Sequence, residues 1–192
     1  MIFLTVGTEL PFDRLVRVVD DWARRNARQD VFAQIGQSLH PPTHIKWSRF
    51  LEPPEFQRRF AEANVVISHA GMGTILTALY AGKPLLVMPR RAELGEHRNE
   101  HQLATAARMR ELEKICVADG NASLLAALDR IDEISAGARI DAFASQELVS
   151  TVREFIAKTR EERLARQSII DRLSRGVPLR TAFASVRHSD AR

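Results

Sequence analysis

Five short, mostly apolar runs punctuate the chain and limit its fold more than any other feature. They are IFLTV at 2–6, VFAQI at 31–35, VVIS at 65–68, LLVM at 85–88 and ICVA at 115–118. Runs this short, bounded by turn residues, read as buried strands and not as helices. Between them lie helical patterns. Phe12, Leu15, Val16, Val19 and Ala23 form one stripe over 12–27, and Pro53-Pro54 opens a short helix over 55–62. Further helices are expected over 73–81, 99–112 and, after the Asn121-Ala122-Ser123 cap, through about Ile134. HIKWSRF at 44–50 alternates weakly and adds a sixth candidate strand. Strands separated by helices at this spacing make βαβ units, so the expected fold class is α/β, a parallel sheet with helices on both faces.

The composition shifts after about Ser135, which suggests a division into 1–135 and a C-terminal extension, 136–192. In the extension, 146–160 reads as an amphipathic helix with Leu148, Val152, Phe155 and Ile156 in one stripe. The remaining tail to Arg192 is basic and only weakly periodic. Of the net charge of +4, residues 158–192 carry nine Lys/Arg against four Asp/Glu, so the rest of the chain is close to neutral. A basic segment faces nucleic acid, anionic lipid or an acidic partner, or is simply a solvated helix face. No nucleic-acid module accompanies it, and nucleic acid is not expected as a partner. The single cysteine, Cys116, cannot close an intrachain disulfide and fits a reducing compartment. No apolar stretch approaches the ~18 to 20 residues that span a bilayer. The opening MIFLTVG lacks a basic leader and a cleavage site, so it reads as a first strand and the chain is expected in the cytoplasm.

The stretch SHAGMGTILTALYAGKPLLVMP, 68–89, carries the chemistry. In open α/β sheets ligands bind at the carboxyl ends of the strands. Gly71 and Gly73 let a ligand approach the backbone there. The helix that follows aims free N–H groups and a positive dipole end at it, which favours an anion, usually a phosphate. Thr74 can add a hydroxyl and His69 a ring N–H. Two better-known phosphate motifs fail. The dinucleotide fingerprint needs glycine where Leu76 stands, and Gly82-Lys83 is followed by Pro84 where a P-loop needs Ser or Thr. Local chemistry alone therefore leaves two readings: an anion site of unnamed type, or a tight turn with small residues for packing.

The pieces His69-Ala70-Gly71-Met72-Gly73-Thr74, Gly82-Lys83-Pro84, Pro89 and His101-Gln102 together resemble the nucleotide-sugar site of GT-B glycosyltransferases. The likeness is to the family 28 C-terminal, donor-binding domain of the enzymes that make lipid II and dolichol-linked chitobiose. FLTVGT, with Phe12-Asp13 just after, resembles the start of the dolichol-pathway catalytic subunit. The resemblance covers about residues 1–135. It implies a Rossmann-like domain, a single GT-B half, that binds a UDP-sugar and needs no metal or other cofactor. On this resemblance the turn Gly71-Met72-Gly73-Thr74 would hold the UDP diphosphate. His69 beside it would be the catalytic residue that stabilises the leaving group. Gly7 and Thr8 would border the donor or the acceptor phosphate, and Gln102 would contact the donor sugar or its phosphates. One position departs from the pattern: many relatives carry an acidic ribose ligand where this chain has Thr77.

The loop PRRAELGEHRNEHQ, 89–102, resembles small soluble glycosyltransferase subunits of bacterial exopolysaccharide clusters, including those that add glucuronic acid. Arg90 and Arg91 would pair a sugar carboxylate or a phosphate, unless they are a solvated basic pair, and His97 is grouped with the donor-binding residues. His97 and His101 are spaced like zinc ligands, but the His-Glu-x-x-His order is missing and no metal site is expected. Glu93 or Glu96 is placed to act as a base or to be an ordinary loop residue. A complete GT-B enzyme has two such domains, so the acceptor half would come from a second polypeptide. In related systems that partner is membrane-anchored and holds a lipid-linked saccharide acceptor. The chain would then work at the inner face of the cytoplasmic membrane, with its C-terminal helix and tail as docking elements. Two other readings stay open: a noncatalytic enhancer subunit that stabilises such a partner, and a nucleotide-sugar epimerase, which needs a second domain in the same chain.

Overall fold

The computed structural model describes residues 1–112, 115–137, 139–141 and 143–174. They divide into a first unit, Met1–Asp141, and the residues beyond it. The first unit holds six strands: β1 (Ile2–Thr5), β2 (Val31–Gln34), β3 (Lys46–Ser48), β4 (Val65–His69), β5 (Leu85–Met88) and β6 (Cys116–Val117). They form one sheet in the order β3-β2-β1-β4-β5-β6, parallel throughout. β1 lies in the middle, pairing Ile2 with Val31 on one side and with Val65 on the other.

The apolar runs become strands because both faces of the sheet are covered. Successive residues point to opposite faces. Ile2, Leu4 and Val6 join α1 (Asp13–Arg25), α5 (Asn121–Leu128) and Ile131 in one core. Phe3, Val66, Leu85 and Val87 join α2 (Pro53–Glu62), α3 (Met72–Ala81) and α4 (His101–Glu111) in the other. On this second face Phe3 meets the edges of Phe56 and Phe60 at 5.4 and 6.5 Å between ring centroids. Both helix layers expected from the sequence are present.

Three local devices set the frame. Asp20 on α1 is buried and accepts the backbone N–H groups of Thr43, His44 and Ile45, each at 2.9 Å, which fixes the loop leading into β3. Burial opposes its ionisation, but these bonds and the Thr43 hydroxyl outweigh that and lower its pKa. The indole of Trp22, buried on α1, donates to Asp129 just past α5 at 3.1 Å. Gly82 ends α3 in the left-handed conformation, φ 64°. Lys83 then donates to the carbonyls of Ala61 and Ala63 at the end of α2, where a cation suits the helix dipole. The Gly-Lys-Pro element is thus a structural junction.

Two helices differ from the expected spans. α5 stops at Leu128, and a separate 3-10 turn covers Ile131–Glu133. In the second unit α6 (Gln146–Ser174) runs fourteen residues past the expected end at 160. The apolar stripe is interrupted by Thr159, Glu162, Arg163 and Arg166, but Arg, Glu, Ala and Leu are strong helix formers and sustain the helix without it. Leu148, Val152, Phe155 and Ile156 are exposed on α6. The end of the basic tail, 175–192, lies outside the described residues. No described helix is long and apolar enough to cross a membrane.

Candidate functional site

The strand order changes direction of growth at β1 and β4, which is where an open α/β sheet leaves a crevice at its carboxyl edge. A cavity of about 480 Å³ opens there. Its walls come from three segments: Val6 to Leu10 after β1, His69 with Gly71 and Gly73 after β4, and Arg90, His97, His101 and Gln102 after β5. A second, more apolar depression of about 370 Å³ lies beside it, lined among others by Gln34, Phe50, Leu51, Phe56, Gln57 and Thr74. Gly7 and Thr8 border both.

The N-terminus of α3 stands at this edge. Gly71 is its N-cap, no side chain caps it, and the first-turn N–H groups of a helix have no partner within the helix. The two glycines have different reasons. A Cβ on Gly71 would lie 2.3 Å from Nε2 of His69, and a Cβ on Gly7, at φ 75°, would lie 2.9 Å from Cε1 of the same ring. The imidazole therefore fills a slot between two glycines. A Cβ on Gly73 would meet nothing within 4 Å, so Gly73 leaves the space in front of the helix end open.

Burial pushes the His69 pKa down to about 4, and the nearby charge of Arg90 adds to this against the opposing backbone of Thr5. At neutral pH the ring is uncharged. It can hydrogen-bond an oxygen, but it brings no positive charge of its own, so the attraction for an anion comes from the helix end. Nδ1 of His69 and Nδ1 of His97 are both buried without a hydrogen-bond partner among the described residues. The His97 and His101 rings meet edge to face at 4.6 Å. Nδ1 of His101 is engaged by Asn99. Among the described residues no three or more His, Cys, Asp or Glu side chains converge as a metal site would require.

Gln102 is buried, and its Oε1 accepts the backbone N–H of Arg90 at 3.1 Å. That assigns the amide and leaves its N–H₂ group for a ligand. Arg90, 3% exposed, gives its terminal N–H groups to the carbonyls of Val6, Leu10, Pro11 and Glu96. Arg91 is not on the cavity wall; it pairs with Glu93 at 2.7 Å. Thr74 faces the second depression, and Met72 is exposed beside the first helix turn. The Thr77 hydroxyl donates back to the Gly73 carbonyl at 2.7 Å.

Two features of this edge are not among the expected site contacts: the Arg14–Glu96 pair and the apolar pair Phe50-Leu51. Glu96 is buried and takes a two-pronged bond from Arg14 on α1, 2.6 Å at each prong. A carboxylate gripped in this way is a strut and not a free base. The apolar pair Phe50-Leu51 lines the second depression. Its signal is two large apolar residues immediately after a strand end, with Phe50 left exposed.

Comparison with known proteins identifies the family and the fold. Residues 1–136 match the model of the glycosyltransferase family 28 C-terminal domain. Among solved structures the chain is similar to the NMR solution structure of ALG13, with TM-score 0.52 and 18% identity over 74% of this chain and 90% of that one. It is similar to Acinetobacter baumannii MurG, with TM-score 0.50 and 18% identity over 68% of this chain and 40% of that one. The glycotransferase of kitacinnamycin matches with TM-score 0.51 and 20% identity over 68% of this chain and 34% of that one. The chain thus spans less than half of the last two. No curated protein sequence matches.

Proposed function

The chain belongs to the glycosyltransferase family 28 C-terminal domains, and from that premise we propose that it is the donor-binding subunit of an inverting, metal-independent glycosyltransferase. The single observation that carries this is a pair of cavities that flank the uncapped end of α3 and share Gly7 and Thr8. A UDP-sugar has three parts of matching character. The flat base suits the apolar depression at Phe50 and Leu51, the diphosphate suits the helix end, and the sugar suits the polar cavity with its Gln102 amide.

The transfer is a direct displacement. The acceptor hydroxyl attacks the anomeric carbon, its proton goes to a base, and the bond from that carbon to the diphosphate oxygen breaks. Charge then grows on the departing diphosphate, where the first-turn N–H groups of α3 and the neutral ring of His69 stabilise it. Glu96 is held by Arg14 and Glu93 by Arg91. We propose that the base comes from the acceptor half, a membrane-anchored partner that holds a lipid-linked saccharide, in exopolysaccharide assembly. The chain works with that partner at the inner face of the cytoplasmic membrane.

A second reading, a noncatalytic enhancer of the partner, is favoured by one observation. Where an acidic ribose ligand is expected, Thr77 has its hydroxyl turned back onto Gly73. Calorimetric titration with UDP, UDP-glucose and UDP-glucuronic acid separates the two. Donor binding that His69→Ala weakens is expected. Absence of binding both by the lone chain and by the reconstituted pair would leave the enhancer role.

A further inference from the structure

The loop between β1 and α1 walls one side of the polar cavity, yet little of its shape is built into its own backbone. Among the described residues, 8–11 make no backbone-to-backbone hydrogen bonds outside regular elements. Their carbonyls go to side chains instead. Thr8 accepts from Gln37 at 3.1 Å, and Val6, Leu10 and Pro11 accept from Arg90 at 2.7, 2.8 and 2.7 Å. The fourth bond of Arg90, 3.1 Å to the carbonyl of Glu96, reaches the loop on the opposite wall. Glu96 is in turn pinned by Arg14 and accepts the backbone N–H of Arg91 at 3.0 Å. The Arg90 and Arg14 guanidinium carbons lie 4.7 and 5.4 Å from the centre of the fully buried Phe12 ring.

We propose that Arg90, with Arg14 and Glu96, is a clamp that holds the two loops of the donor cavity at a fixed separation, and that Arg90 acts as a positioning residue and not as a ligand of the donor. All four terminal N–H groups of its guanidinium are taken, and only Nε–H remains. A fork for a phosphate or a sugar carboxylate needs two parallel free N–H groups, and Arg90 has none to offer. Lysine cannot replace it, because a single ammonium with three donors does not span four carbonyls on two loops. Arg14 and Glu96 do not line the cavity, so any effect they have on a ligand passes through the loops.

The part of this that concerns the donor rests on the nucleotide-sugar reading; the clamp itself does not. The test uses the full chain with Arg90→Lys, Glu96→Gln and the double variant, and reads two quantities. The first is the backbone NMR order parameter at Thr8, Glu9 and Leu10 against that of β4 and β5. The second is the Kd for UDP. Arg90→Lys is expected to lower the loop's order parameters to below about 0.6 while the strands stay near about 0.85, because the carbonyls of Val6, Leu10 and Pro11 lose their guanidinium donor; Glu96→Gln, which loosens the opposite wall and leaves those bonds in place, is expected to lower them less. Both are expected to weaken UDP by about five- to tenfold, and the double variant is expected to be little worse than Arg90→Lys, since the groups act as one unit. Loop order in Arg90→Lys that stays at the wild-type value overturns the clamp. Loss of UDP binding by Arg90→Lys alone, with the loop unchanged, makes Arg90 a ligand and also overturns it. A wild-type chain that does not bind UDP removes the nucleotide reading, while the order parameters still decide the clamp. If Arg90→Lys does not fold, Glu96→Gln carries both readouts.

Discussion

His69 is a histidine kept neutral by its surroundings, and this has a measurable sign. Its pKa falls from the ordinary 6.5 to about 4 on folding. Between these values the unfolded chain binds the proton and the folded chain does not, so stability rises with pH across that window. The contribution is complete above about pH 6.5 and is lost as pH falls through about 4; at most it is about 3 kcal/mol. Urea midpoints of wild type and His69→Asn, taken from pH 7 to pH 4, are expected to converge at the acid end. A bound diphosphate would favour the charged ring, so NMR titration of the imidazole should show its pKa rising when UDP is added. Asp20 gives the complementary case. Its carboxylate is lowered in pKa, so its contribution is present above the ordinary carboxylate range and lost as pH falls through the folded value. Asp20→Ala leaves three backbone N–H groups without acceptors and is expected to cost about 2 to 4 kcal/mol by denaturant unfolding at pH 7.

At the scale of elements, the end of α3 separates folding from binding. Gly73→Val enters open space and replaces a poor helix former, so the thermal midpoint should hold. The same branched side chain blocks the approach to the helix end, and UDP affinity is expected to fall more than about tenfold by calorimetry. Gly71→Ala should behave differently, because its Cβ collides with the His69 ring and disturbs the site from within. The contrast explains what could be read in advance. β1, β2, β4 and β5 were legible because strands buried on both faces are nearly continuous apolar runs, the exposed edge strand β3 showed only weak alternation, and Gly71, Gly73 and His69 were legible because a strand–turn–helix junction is local chemistry. Three of the four Arg90 contacts reach across 79 to 84 residues and those of Arg14 across 74 to 82, most of them to main-chain carbonyls, which leave no signature in sequence. Arg90 and Arg91 are neighbours in sequence, yet one is buried under a loop and the other pairs with Glu93 outside the cavity. The stop of α5 at Leu128 and the run of α6 to Ser174 were missed because one apolar pattern outlasts its helix and the other ends before it.

At the scale of the molecule, both hydrophobic cores are drawn from the first unit. A chain ending at Asp141 is therefore expected to unfold in denaturant within about 1 kcal/mol of the full chain and to keep its affinity for UDP. Association with membranes that carry the partner should be what it loses, which a flotation assay reads directly. The sheet order has one more consequence, and it concerns synthesis. Of these six strands the first to be made is the central one, and one of its two edges waits for Val65–His69. Until β4 leaves the ribosome, β1 has at best β2 beside it, with β3 beyond β2, and its other edge is bare. The two halves of the sheet can join only when β4 emerges, and the glycine turn that follows β4 is the next segment out. The cavity is therefore assembled only after the sheet that supports it has been joined through its centre, and a nascent chain stalled before Val65 should be a target for chaperones.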